Sequence, residues 1–310
     1  MNCLPAEVAV QSGRLRIKTL KAAIGADRGT HPLYLKPKTL SEAVSVLAMS
    51  GGQILAGGTD FYPALGDGLP QGDVVDITSL REIRGIITED EYIRIGGLTT
   101  WTEIVRTPLP QCFDALKSAA REIGSVQIQN RGTVAGNLCN ASPAADGVPP
   151  LLALEAEVEL SSAAGKRRLP LGEFITGNRK TARRTNEIVS AVLIRRRIEH
   201  AASAFLKLGA RRYLVISISM VAAVLDIDRS GRVAEACVAV GSCSATARRL
   251  HDLERDLVGH SANANIGGRV RSDHIAALSP INDVRATAEY RRDASLTLLR
   301  RTLQACAGRA

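Results

Sequence analysis

Between Gly124 and Asp146 the apolar periodicity of the flanking sequence stops, and a long run of small, polar and glycine residues takes its place. Such a stretch is uncommon in a compact domain unless it has a job, so rigid elements must carry it and hold it against something. Its flanks define that scaffold. Thr39 and Glu42 have capping-box spacing before the apolar face Ala43, Val46 and Leu47, and Thr100 with Glu103 repeats the spacing, which predicts two helices. Strands are expected at 53–56 and 74–77, a hairpin at 85–88 and 92–96, and a further helical stretch at 110–123. Beyond the run, 151–154 resumes an apolar face, 157–161 and 167–169 flank Gly165 as a second hairpin, and 187–195 reads as a strand. Residues 215–227 and 233–240 flank the turn-forming Asp228-Arg229-Ser230-Gly231 as a long antiparallel pair, followed by helices at 247–258 and 284–306. Strand and helix alternate without regular βαβ units, so the fold class predicted is α+β rather than a doubly wound sheet.

A chain of 310 residues has room for two domains at roughly 150 residues each. The expected division is an N-terminal extension at 1–30, one domain at 31–200 and a smaller one at 201–310, with the boundary in the charged segment Arg195–His200. The net charge of +9 is dispersed in pairs such as Arg183-Arg184 and Arg211-Arg212, and only 3% of residues are aromatic. Neither a concentrated basic footprint nor a base-stacking platform results, so no nucleic-acid partner is expected. The longest nearly apolar run, Tyr213–Val224, is shorter than the roughly 20 residues of a membrane-spanning helix. Six cysteines lie too far apart for a CxxC pair, which predicts free thiols in a reducing, cytoplasmic setting. Five histidines lack metal-ligand spacing, and the cysteines match no iron–sulfur pattern, so no metal is expected on this chain.

Two loops carry the chemistry. In Ile54-Leu55-Ala56-Gly57-Gly58-Thr59-Asp60-Phe61 an apolar strand runs into paired glycines and a hydroxyl residue, where bare amides can close on a diphosphate. An ordinary strand-to-helix turn has the same appearance, and the GxGxxG and GxxxxGK patterns are absent. The second loop, Asn130-Arg131-Gly132-Thr133-Val134-Ala135-Gly136-Asn137-Leu138-Cys139-Asn140-Ala141-Ser142-Pro143-Ala144-Ala145-Asp146, gathers hydroxyls, amides and one carboxylate into a run read as unstructured.

Together with the segment from Phe174 to Ile194, these loops resemble the FAD subunits of the molybdenum hydroxylases, the xanthine dehydrogenase and carbon monoxide dehydrogenase family. Phe205-Leu206-Lys207-Leu208-Gly209-Ala210-Arg211-Arg212 and Glu289-Tyr290-Arg291-Arg292 extend the resemblance to the C-terminal part. It implies an FAD domain of the vanillyl-alcohol oxidase type, followed by a smaller domain of antiparallel sheet and helices. It also implies an FAD site that includes Ile54 and in which Leu55 to Phe61 and Thr133, Val134, Ala135, Gly136 and Asn137 cradle the pyrophosphate from two sides. Asp146 would accept from ribityl hydroxyls, Ile188 or Val189 with Lys207 would lie beside the isoalloxazine, and Ile123 would join the lining. From the residues alone, Asp146 could equally cap a helix starting near Gly147, Val189 could be core, and Lys207 a surface charge. Two positions depart from the family pattern: Ala135 replaces a glycine, and Gln129 stands where a basic residue is frequent. The resemblance further implies an electron-transfer oxidoreductase subunit, whose partners would be a small [2Fe-2S] subunit and a large molybdopterin-binding subunit, with NAD, a quinone, a cytochrome or oxygen as acceptor. A free-standing FAD-dependent oxidoreductase of the same fold, or a flavin-free interaction protein, are the alternatives.

Overall fold

The computed structural model describes residues 32–309, so the expected extension at 1–30 lies outside the described residues. A small parallel sheet comes first, from β1 (Tyr34–Leu35), β2 (Gln53–Leu55) and β3 (Val74–Asp76), in the order β1-β3-β2. Helix α1 (Leu40–Ser50) covers it, capped by the Thr39 hydroxyl on the Glu42 amide, and buries Ala43, Val46 and Leu47. Helix α2 (Phe61–Leu65) follows β2 through the paired glycines and buries none of its residues.

The second layer is an antiparallel sheet. It contains β4 (Ile86–Thr88), β5 (Tyr92–Gly96), β6 (Glu157–Ser162) and β7 (Gly165–Pro170). The short hairpin β8 (Ile175–Gly177) and β9 (Lys180–Thr181) then leads into β10 (Ile188–Arg195), which completes the order β4-β5-β10-β6-β7. Central β10 is buried at seven successive positions because it has a neighbour on each edge and packing on both faces. Helix α3 (Trp101–Arg106) starts on the predicted capping box, with Thr100 and Glu103 bonded reciprocally. Helix α4 (Asp114–Glu122) follows a single 3₁₀ turn, so the helical stretch expected at 110–123 is split in two.

The run read as unstructured contains two short helices, α5 (Val126–Gln129) and α6 (Val134–Asn140). Ser125 accepts from the Ile128 amide and Thr133 from the Gly136 amide, so each hydroxyl that reads as loop is an N-cap. Helix α7 (Val148–Ala153) follows.

The last sheet pairs β11 (Ala202–Leu208), β12 (Ser219–Ile227), β13 (Val233–Gly241) and β14 (Arg248–Arg249) antiparallel in that order. Alternation along β12 divides the apolar contacts: Met220, Ala222 and Val224 join the core shared with α4 and α7, and Val221, Ala223 and Leu225 join a second core. That second core is closed by α8 (His251–Leu257) and α9 (Ala288–Ala307). The observed limits are tighter than expected here. Helix α8 starts late because residues 248–249 pair with β13; α9 starts at its Thr287 cap; and β12 starts at Ser219 because Ser217 turns inward to Asp146. The first and second apolar clusters meet through this sheet, so the C-terminal part is packed against the rest rather than tethered to it.

Candidate functional site

The two glycine loops face one another across a cleft of about 440 Å³, inside the range of about 300–1,000 Å³ that small-molecule sites occupy. Its walls come from three places. The first loop supplies Ile54 and Ala56 through Phe61; the second supplies Gly132, Thr133, Ala135, Gly136, Asn137, Cys139 and Asn140; and the start of β10 supplies Ile188 and Val189. Ile123 also lines it. Leu55 and Val134 turn away into the cores.

The loops touch through backbone. A Cβ at Gly57 would lie 2.0 Å from the Arg131 carbonyl oxygen, and one at Gly136 would lie 2.8 Å from Thr133 Oγ1. Gly58 has φ +77°, a conformation that side chains rarely adopt. Only a residue without a Cβ at position 57 therefore lets the loops approach so closely, while Gly136 lets the second loop turn tightly over the Thr133 hydroxyl.

The donors are not shared equally. On the second loop the amides of Val134 and Ala135 already donate to the carbonyls of Thr99 and Gly97, and that of Gly136 donates to Thr133 Oγ1. On the first loop, the amides of residues 57 to 61 donate to no acceptor among the described residues. Five successive amides without an acceptor, on residues that all line the cleft, are donors available to an anion. Asn137 adds a buried Oδ1 with no partner among the described residues. Paired glycine loops, orphaned donors and an orphaned acceptor fit a dinucleotide with an anionic diphosphate and hydroxyl-bearing arms.

The methyl of Ala135 is accommodated by a second glycine. Gly97 lies beneath it, at ordinary van der Waals distance between their β positions, while a Cβ on Gly97 would come within 2.2 Å of the Val189 carbonyl oxygen. Gln129 donates its side-chain amide to the Arg121 carbonyl and does not line the cleft. Trp101, the single tryptophan, is 1% exposed and forms the floor, with its ring closely approached by Gly132 and Gly147.

Asp146 and Lys207 are brought together, but away from the cleft lining. Lys207 Nζ donates to Asp146 Oδ2 at 2.7 Å and to the Glu122 carbonyl at 3.4 Å, while the Ser217 hydroxyl donates to Asp146 Oδ1. Both charged side chains are under a tenth exposed. Burial pushes the Asp146 carboxyl above its ordinary range, against the pull of Lys207 and Ser217. Asp146 thus caps nothing, since the N-cap of α7 is Gly147 without a side-chain bond, and Lys207 is no surface charge. Through Lys207 the group reaches the Glu122 carbonyl, next in sequence to the cleft-lining Ile123, and it ties the second loop to the C-terminal sheet.

Sequence reasoning missed Gln53, Ala64, Ile77, Gly97, Trp101, Ile128, Arg179 and Arg183, all of which line the cleft. Arg179 is at the turn of the β8–β9 hairpin with φ +58°, and no local periodicity marks it. Of the residues lining the cleft, only Asp60, Arg179 and Arg183 carry charge. Cys139 is the one half-buried thiol among five free cysteines in the described residues, and burial raises it to about 11. Elsewhere, Glu155, Glu235 and Cys237 converge, but Arg197 and Arg249 already engage the carboxylates, which makes the group an ion-pair network. Among the described residues, no helix is long and apolar enough to cross a membrane.

Comparison with known proteins agrees with this geometry. Residues 26–195 match the FAD binding domain in molybdopterin dehydrogenase, and residues 204–306 match the CO dehydrogenase flavoprotein C-terminal domain. The chain is 37% identical to a nicotinate dehydrogenase FAD-subunit from Eubacterium barkeri, over 73% of this chain and 79% of that protein. It is 32% identical to the putative xanthine dehydrogenase FAD-binding subunit of Escherichia coli K12, over 87% and 94% of the two chains. A chain of carbon monoxide dehydrogenase from Hydrogenophaga pseudoflava superposes with a TM-score of 0.83 at 27% identity, covering 90% of this chain and 98% of that one.

Proposed function

The chain belongs to the FAD-binding subunit family of the molybdenum hydroxylases, and from that premise we propose that it is the electron-transfer subunit of a three-part dehydrogenase. The observation that carries the reading is the cleft itself: two backbone-built loops with five free amides, and a lining in which no side-chain nucleophile is paired with a base. Such a site binds and orients a cofactor and performs no acid–base step of its own. Bound FAD supplies a carrier that takes two electrons and releases them singly or together. The first loop's amides would hold the diphosphate, Thr133 and Asn137 would flank it, and Trp101 would exclude water from below.

In this reading a small [2Fe-2S] subunit feeds electrons to this chain from a large molybdopterin-binding subunit, where substrate is oxidised. An acceptor such as NAD, a quinone, a cytochrome or oxygen removes them. The place of action is the cytoplasm. Medium chains of carbon monoxide dehydrogenase and of nicotine 6-hydroxylase are among the relatives, which supports a multi-subunit assembly. Substrate identity would then reside on the molybdenum subunit, not on this chain.

The test is affinity purification of the tagged chain from its native cells, with an absorption spectrum and mass spectrometry of everything retained. Flavin with an iron–sulfur chain and a molybdopterin chain is the expected result. Flavin without companions would replace the subunit by a free-standing oxidoreductase, and substrate hydroxylation by the purified chain alone would overturn the proposal.

A further inference from the structure

An FAD diphosphate brings about two negative charges into a cleft whose glycine loops contribute no lysine or arginine to its lining. Among the described residues, the only cations lining it are Arg179 and Arg183. Arg183 Nη1 donates to the carbonyls of Arg184, Thr185 and Glu187, all in its own segment, so it bridges no two walls of the cleft. Arg179 is differently placed. Its amide donates to the Ala141 carbonyl just past the end of α6, and its Nη1 donates to Asn140 Oδ1. Asn140 Nδ2 in turn donates to Asp60 Oδ1 at 2.9 Å. Two hydrogen bonds in series therefore run from the β8–β9 hairpin, over the end of α6, to the first glycine loop.

This chain of contacts lies at the rim. Asp60 and Arg179 are exposed, whereas Thr133, Ala135, Ile188 and Val189 behind them are buried. The segments it joins are weakly anchored, because β8–β9 is a hairpin of two short strands and α2 buries no residue. Between them, α6 is fixed in the core by Val134 and Leu138. Exposed hydrogen bonds are individually too weak to hold the fold but strong enough to set how often a rim opens.

We propose that Arg179 and Asn140, with Asp60, form a clamp across the cleft rim that retains bound FAD and sets its dissociation rate. The inference rests on the FAD reading above. Arg179 has donors left over after its bond to Asn140, so the clamp presents positive charge to the cofactor as it closes. Asn140 couples the two jaws, since one end of its amide accepts from Arg179 and the other donates to Asp60.

The test uses the full chain, loaded with FAD and then diluted far below the dissociation constant of the complex, with recovery of Trp101 fluorescence as the readout. Arg179→Ala and Asn140→Ala are each expected to speed release about tenfold, as the loss of such hydrogen bonds predicts. Because the contacts act in series, the double variant is expected to be no faster than the faster single variant. Thermal melting of the apoproteins checks folding, and both single variants are expected to melt like the parent. Release at the parental rate in either single variant, or a double variant faster by the product of the two single effects, would overturn the clamp. If the parent protein itself shows no Trp101 quenching by FAD, the FAD reading falls and the clamp with it; parental binding with unchanged release defeats the clamp alone.

Discussion

Replacing Gly57 by alanine tests whether the two loops form the cradle through backbone contact. The new Cβ would stand 2.0 Å from the Arg131 carbonyl oxygen and 2.8 Å from its carbon. Ordinary contact begins near 3.4 Å, so the loops must part by about 1.4 Å, and the obstructing atoms are backbone that no rotamer change can move. Overpacking of this kind costs about 1–3 kcal/mol, and a backbone-to-backbone clash belongs at the upper end, near 2–3 kcal/mol. In a chain of this size that lowers the melting temperature by roughly 4–12 °C, taking about 2–4 °C per kcal/mol. Parting the loops relieves the strain but carries the free amides of residues 57 to 61 away from Thr133 and Asn137. Binding FAD must then restore the strained approach, so affinity is expected to fall roughly 30- to 100-fold at 1.4 kcal/mol per factor of ten. The assay is FAD titration followed by Trp101 fluorescence, beside a melting curve. Gly72→Ala is the control, because nothing lies within 4 Å of a Cβ there. Parental melting and parental FAD affinity in Gly57→Ala would refute the reasoning.

Other expectations follow from buried charge and from the thiol. Glu159 is buried against Arg94, Lys166 and Ser190; burial raises its carboxyl, but the Arg94 and Ser190 hydrogen bonds and the Lys166 contact outweigh this and hold it at about 2. A depressed carboxyl stabilises the fold above its unfolded value of 4.5, so that contribution, up to about 3 kcal/mol, should be lost as pH falls from 4.5 towards 2. Melting curves of Glu159→Gln should show a flatter dependence across that window, and an unchanged slope would count against the assignment. Asp146→Ala leaves the Lys207 ammonium buried without its partner, which should cost about 3–5 kcal/mol in a denaturant titration. Cys139 should react with iodoacetamide faster as pH rises towards 11 and should be shielded when FAD is bound, as read by peptide mass spectrometry. Equal labelling with and without FAD would place the cofactor elsewhere.

What could be read without coordinates was local. Thr39 with Glu42 and Thr100 with Glu103 announced α1 and α3 because capping is a contact between residues three apart. The β12–β13 pair was legible from apolar strands around a turn, and the strand running into Gly57-Gly58 marked the first loop. Family resemblance brought FAD, and the family comparisons agree. The helices inside the second loop were misread because Ser125 and Thr133 have the same composition signal as N-caps and as loop residues, and α5 and α6 are too short to show a period. Tertiary structure decided the rest. Asp146 meets Lys207 and Ser217 of the distant β11–β12 hairpin, Gly97 makes room for the Ala135 methyl, Trp101 lies beneath both loops, and Arg179 reaches Asn140 from another hairpin. None of these contacts follows from a repeat along the chain, because each depends on how sheets and helices stack after local structure has formed. Sequence determines the pieces of this protein that are held by neighbours in the chain, and packing decides which of them face the cleft.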